Sequence, residues 1–139
     1  MSHQRRRARR MAVQALYQWQ IAGHTAAEIV TQFAEHASKK ADFAYFRELT
    51  EGVISTCSHL DEQLQPQLSR ALSGVDPVER AILRLAAYEL SQRPDIPYKV
   101  IINESVEMAK TYGAEQGHRF VNGVLDKTAR VLRPQECKS

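Results

Sequence analysis

An all-α fold of about seven helices is predicted by three features of this 139-residue chain. Apolar residues recur with the 3.6-residue period in almost every segment. Two helix-start signatures, Thr25 with Glu28 and Asp76-Pro77-Val78-Glu79, each stand at the head of such a run. Asn122-Gly123, a dipeptide that would mark a hairpin between strands, has neighbours that keep the helical period instead. Hydrophobic residues at 43% and charged residues at 25% are ordinary for a globular chain. A chain this long buries roughly two thirds of its unfolded surface, enough for one core without metals or disulfides. The expectation is one helical domain of two small packed bundles, with subdomains at about 1–73 and 74–139.

The elements follow in order. In residues 5–20, Ala8, Met11, Ala12, Ala15, Leu16 and Trp19 share one face, and Arg6, Arg9, Arg10, Val13, Gln14 and Tyr17 the other. Gly23 ends this helix. Thr25 caps a second one, striped by Ile29, Val30, Phe33, Ala34 and Ala37, and a polar loop runs from Ser38 to Asp42. Phe46, Leu49, Val53, Cys57 and Leu60 predict a single third helix over 43–60, weakened at Gly52. Leu64, Leu68 and Leu72 mark a short fourth segment broken at Pro66. Asp76 caps the next helix, Pro77 occupies its first turn, and Glu79 closes the capping box. Arg93-Pro94 ends it and Asp95-Ile96-Pro97 is a rigid connector. Residues 98–112 turn Ile101, Ile102, Ser105, Val106, Ala109 and Tyr112 inward, with Gly113 as the stop. The last helix spans about 115–132 on Val121, Val124, Leu125, Thr128, Val131 and Leu132, and Pro134 ends it.

Catalytic patterns are absent from the sequence. It has no nucleophile elbow, phosphate-cradling glycine loop or dinucleotide fingerprint. Two cysteines, Cys57 and Cys137, form neither a zinc pattern nor a disulfide framework, so a reducing cytoplasm is the default compartment. Glu115 and His118 make a Glu-x-x-His pair, but helical di-iron sites need that spacing twice and the second copy is missing. Glu104, Glu107 and Lys110 read as a solvated, ion-paired face, and Asn103 as a hydrogen-bond partner for a nearby connector. No apolar run approaches the ~20 residues of a membrane span. Gln14, Gln18 and Gln20 interrupt what would be the apolar core of a secretory signal. A mitochondrial presequence fits the composition of the amino end but not its reading as an integral core helix.

The charge is asymmetric. The net charge of +3 hides five arginines and no acid in the first ten residues, which leaves the rest of the chain mildly acidic. An arginine cluster continuous with a core helix is held rigid, and Arg suits bidentate phosphate contact and base stacking better than Lys. The outward face of the same helix carries Gln14 and Tyr17, which suit a base edge and a stacking or packing surface. This arrangement points to nucleic acid. The alternative is a helical structural subunit whose basic end binds anionic surfaces, such as a membrane, without specificity.

Four segments carry a resemblance: RRRARRMAVQALYQWQ, VERAILRLAAYEL, IPYKVIINESVEMAKTYGAE and HRFVNGVLDKTARVLRP, in that order from about residue 5 to 134. Together they resemble the NusB family of bacterial transcription antitermination factors. The resemblance implies an all-helical fold of two small bundles, no catalytic activity and no cofactor. It implies binding of single-stranded boxA-type RNA together with NusE, a small-subunit ribosomal protein, on elongating RNA polymerase with other Nus factors, in support of ribosomal RNA transcription. Carried over by position, it places RNA contacts on Arg5, Arg6, Arg7 and Arg10, and on Tyr112, Arg119, Phe120 and Asn122, beside the Gln14 already read as a base-edge contact. Phe120 lies at the edge of an apolar stripe and suits core packing as well as base contact. The partner protein is expected against Tyr17 and Glu79, the latter also serving the capping box. Many members carry an acid where this chain has Gln116; its loss beside an RNA site is expected to raise affinity modestly. The same fold occurs fused to RNA cytosine methyltransferases. This sequence shows no glycine-rich cofactor domain, so it is not expected to be such an enzyme.

Overall fold

The structure, a computed structural model, describes residues 3–35 and 41–138. Among these it has eight α-helices and no strand: α1 (His3–Ala22), α2 (Ala26–Ala34), α3 (Phe43–Ser55), α4 (Cys57–Leu64), α5 (Pro77–Gln92), α6 (Tyr98–Tyr112), α7 (Gly117–Leu132) and α8 (Pro134–Cys137). Short 3₁₀ turns at Gln65–Gln67 and Leu72–Gly74 carry the chain from α4 to α5. Ala37 and the loop from Ser38 to Lys40 lie outside the described residues.

Local chemistry accounts for most boundaries. Gly23 takes a left-handed φ of 72° and its N–H closes on the Trp19 carbonyl. Thr25 Oγ1 accepts the Glu28 N–H at 3.2 Å, and Asp42 accepts the Tyr45 N–H at 3.0 Å. Asp76 takes the N–H groups of both Val78 and Glu79. The predicted single helix over 43–60 breaks at Thr56. Its N–H and hydroxyl both bond to the Gly52 carbonyl, which turns the chain between α3 and α4. Gly52 faces the Tyr88 ring so closely that a Cβ would overlap it. The helix-weakening glycine is therefore what lets α3 approach α5.

α5 is the central strut: it packs against α1, α3, α4, α6 and α7. Ala81, Ile82, Leu83, Leu85, Ala86, Ala87 and Leu90 are buried around most of its circumference. One apolar cluster runs from Ala8 to Ala129.

Several placements differ from the expectation, beginning with Ala34, which is exposed on α2 instead of joining its apolar stripe. Tyr112, the last residue of α6, emerges at the surface while Met108 takes the buried place before it. Val131 is 63% exposed on the outer side of α7, and Ala129 is buried instead. Asn103 is exposed rather than turned toward a connector. Pro134 does not simply stop α7; it occupies the first turn of α8. Just before it, the Arg133 guanidinium donates to the carbonyls of Glu89, Leu90, Arg93 and Ile96. This cation satisfies the open carboxyl end of α5 and clasps the connector to α6.

Candidate nucleic-acid interface

The five arginines of α1 divide into different jobs. Arg9, expected on the outer face, is only 1% exposed. Its guanidinium grips Glu89 of α5 through Nε at 3.0 Å and Nη2 at 2.7 Å. The Tyr45 hydroxyl donates to the same carboxylate. Val13, also expected outside, is buried. The reason for both is that α1 packs against three helices, α2, α3 and α5, and so is covered on more than the one apolar face. Burial opposes the charge on Arg9, but the hydrogen bond and charge of Glu89 outweigh it and hold its pKa above the ordinary value.

Arg5 lies over the Tyr45 ring, 4.6 Å from its centroid, with the guanidiniums of Arg93 and Arg9 at 5.0 and 5.4 Å. Arg6 pairs with Glu104 of α6 at 3.1 Å. Arg7 is exposed and Arg10 half-buried. The backbone beneath them is tied down as well, because the Asp42 N–H donates to the Gln4 carbonyl at 3.0 Å. Part of the cluster's self-repulsion is thus offset inside the fold, by Glu89 and Glu104. Glu104 was expected to share a solvated face with Glu107 and Lys110; only the latter two pair there, at 3.4 Å.

The outward residues converge on two adjoining grooves. Arg7, Arg10, Met11 and Gln14 of α1 line one of about 350 Å³ with Gln32, Phe33 and Ala41. Gln14 also lines the second, about 240 Å³, with Val13, Tyr17, Val78 and Tyr112. Tyr17 is 41% exposed and Tyr112 36%. The fold therefore brings Arg7, Arg10, Gln14, Tyr17 and Tyr112 onto one strip, although Tyr112 stands 95 residues from Tyr17 in sequence. Arg119, Phe120 and Asn122 line neither groove; they sit on the first turns of α7. Arg119 and Asn122 are exposed. Phe120 is half-buried against the core, with the Arg70 guanidinium 5.6 Å from its ring centroid.

Glu79 does not close the predicted capping box. It is 5% exposed, and its carboxylate turns to the α6–α7 connection, where it accepts the Ala114 N–H at 3.4 Å. Gly117 abuts it so tightly that a Cβ there would overlap the carboxylate. In this same turn Gln116 adopts a left-handed φ of 69° and caps α7. Burial, and then the nearby charge of Asp76, push the Glu79 pKa up, against smaller pulls from Ala114 and Arg70. The folded state therefore holds the proton more tightly than the unfolded chain. This contribution favours the fold in acid and is lost as pH rises through the raised value. Glu79→Gln keeps an acceptor for Ala114 and removes the buried charge. Its stability relative to wild type is expected to improve between about pH 4 and pH 7. Urea midpoints across that range check the sign.

Sequence reasoning missed Met11, Gln32, Phe33 and Val78 as groove residues, because each reads as core stripe or solvated helix surface. Glu115 is exposed and His118 half-buried. Among the described residues no three His, Cys, Asp or Glu side chains gather, and no helix is long and apolar enough to cross a membrane.

Comparison with known proteins decides the family. The NusB family model matches residues 6–130. The chain belongs to the NusB family. It is 56% identical over 133 residues to the transcription antitermination protein NusB of Xanthomonas campestris pv. campestris, covering 95% of this chain and 84% of that one. It is 54% identical to the NusB of Klebsiella pneumoniae, covering 95% of this chain and 96% of that one. Among solved structures, T. maritima NusB superposes with a TM-score of 0.86 at 30% identity over the full length of both chains. A structure of the antitermination factors NusB and NusE in complex with dsRNA has a NusB-like chain matching at TM-score 0.81 and 27% identity, covering 94% of this chain and 99% of that one. The NusB-family fold thus spans both grooves and the arginine-rich turns of α1.

Proposed function

We propose that this protein is a non-enzymatic transcription antitermination factor that binds boxA-type RNA together with NusE on elongating RNA polymerase, with other Nus factors, in the cytoplasm. The observation that carries the reading is the strip on α1, where Arg7, Arg10 and Gln14 run directly into the Tyr17–Tyr112 groove. Guanidiniums on this strip take phosphates, Gln14 reaches a base edge, and the tyrosines offer flat faces. Arg5 and Arg6 extend the positive field from the same helix end. Arg119, Phe120 and Asn122 continue the RNA contacts along α7. NusE docks against Tyr17, and Glu79 supports that surface through the turn it holds. The family relatives named for antitermination, and the solved relative holding NusE and dsRNA, support the same assignment.

The competing reading is a basic helical subunit that binds any polyanion. A boxA strand, a scrambled strand of equal length and a boxA duplex, each titrated with and without the NusE ribosomal protein, separate the two. The expected result is preference for the boxA strand, strengthened by NusE because two surfaces then share one ligand. Equal affinity for the scrambled strand in both conditions would sink the proposal.

A further inference from the structure

Building on that reading, we propose that the α1–α2 groove is a nucleotide pocket, taking one unstacked base of the bound strand while Arg7 and Arg10 hold its phosphate. The chemistry of the lining selects this occupant. Met11, Phe33 and Ala41 supply an apolar surface, and Gln14 and Gln32 supply amides that both donate and accept, as a base edge requires. Both charges on the described lining are positive, and no acid is among the described lining residues. A volume of about 350 Å³ suits a group of nucleotide size.

The pocket is stiff. Phe33 is braced against Phe46 with ring centroids 5.8 Å apart, and Gln32 is held to Gln18 of α1 by reciprocal amide bonds at 2.8 and 3.4 Å. A preorganised aromatic face binds a base at little ordering cost. An acidic peptide would satisfy the arginines but leave the apolar surface and both amides unused.

The test uses the full chain and a boxA strand scanned with single abasic substitutions. Gln32→Glu places a negative charge in the groove at an exposed position. Thr31→Glu makes the same charge change next door on α2, outside the groove. Gln32→Glu is expected to weaken strand binding about tenfold and Thr31→Glu by less than about twofold, tenfold being the scale of one base–aromatic stack. One abasic position should cost wild type about tenfold and cost the Gln32→Glu protein nothing further. If wild type prefers boxA but the two variants bind alike, or no abasic cost depends on Gln32, the pocket is overturned while the RNA reading stands. A boxA strand bound no better than a scrambled one overturns both.

Discussion

Glu89→Ala is expected to destabilise the protein by about 3–5 kcal/mol, the largest stability effect of any single substitution considered for this fold. The variant strands the Arg9 charge at 1% exposure and leaves the Tyr45 hydroxyl without the carboxylate it donates to. Arg9→Ala should cost a comparable amount by leaving the carboxylate alone. The pair itself is not a large net source of stability, because desolvating two ions offsets most of their attraction. Replacing both partners with apolar residues, Arg9→Met with Glu89→Leu, should therefore recover most of the loss. Urea unfolding of the two single variants and the double variant measures this directly. A double variant as unstable as the sum of the singles would show that the two side chains contribute independently, and would overturn this account of a coupled buried pair. The single variants should also weaken RNA binding, since Arg9 positions the turn of α1 that presents Arg7 and Arg10.

Removing Arg7 and Arg10 together is expected to have the largest effect on RNA binding with almost none on folding. Among the described residues neither side chain has an ion pair comparable to those of Arg6 and Arg9. Each lost phosphate contact should reduce affinity about tenfold, the scale of one charge-assisted hydrogen bond. The dependence of log affinity on log salt should flatten by about 0.7 for each contact, so by about 1.4 for the pair. Arg5→Ala and Arg6→Ala should flatten it less. Their guanidiniums already sit on Tyr45 and Glu104, and RNA must compete for them. An unchanged salt slope in the Arg7→Ala, Arg10→Ala protein would place the phosphates elsewhere on the molecule.

The helices were legible in the sequence because their signals are local. The Thr25 and Asp76 caps, the Gly23 stop and the apolar stripes of α5 and α7 act within a turn or two of themselves. Long-range chemistry was not legible. Nothing within residues 5–10 distinguishes Arg9 from Arg10; the difference is a carboxylate 80 residues away. Glu79 fitted a capping box by spacing, yet its partner lies 35 residues on, in a turn whose glycines make room for it. The break at Thr56 was hidden because the apolar stripe runs straight through it. The grooves were half visible. Gln14 and Tyr17 show on the outward face of α1, but the opposite walls come from α2, α5 and α6. A period-3.6 reading of one helix carries no information about which neighbour arrives.

Arg133 has a consequence for how the molecule is made. Chains are synthesised from the amino end, and this side chain follows all seven helices from α1 to α7. Until it does, the carbonyls of Glu89, Leu90, Arg93 and Ile96 that it will occupy must be served by water. The connection between α5 and α6 is therefore sealed only after Arg133 has been made, later than both helices it fastens. Losing this one side chain would unfasten the carboxyl end of α5 from the connection to α6.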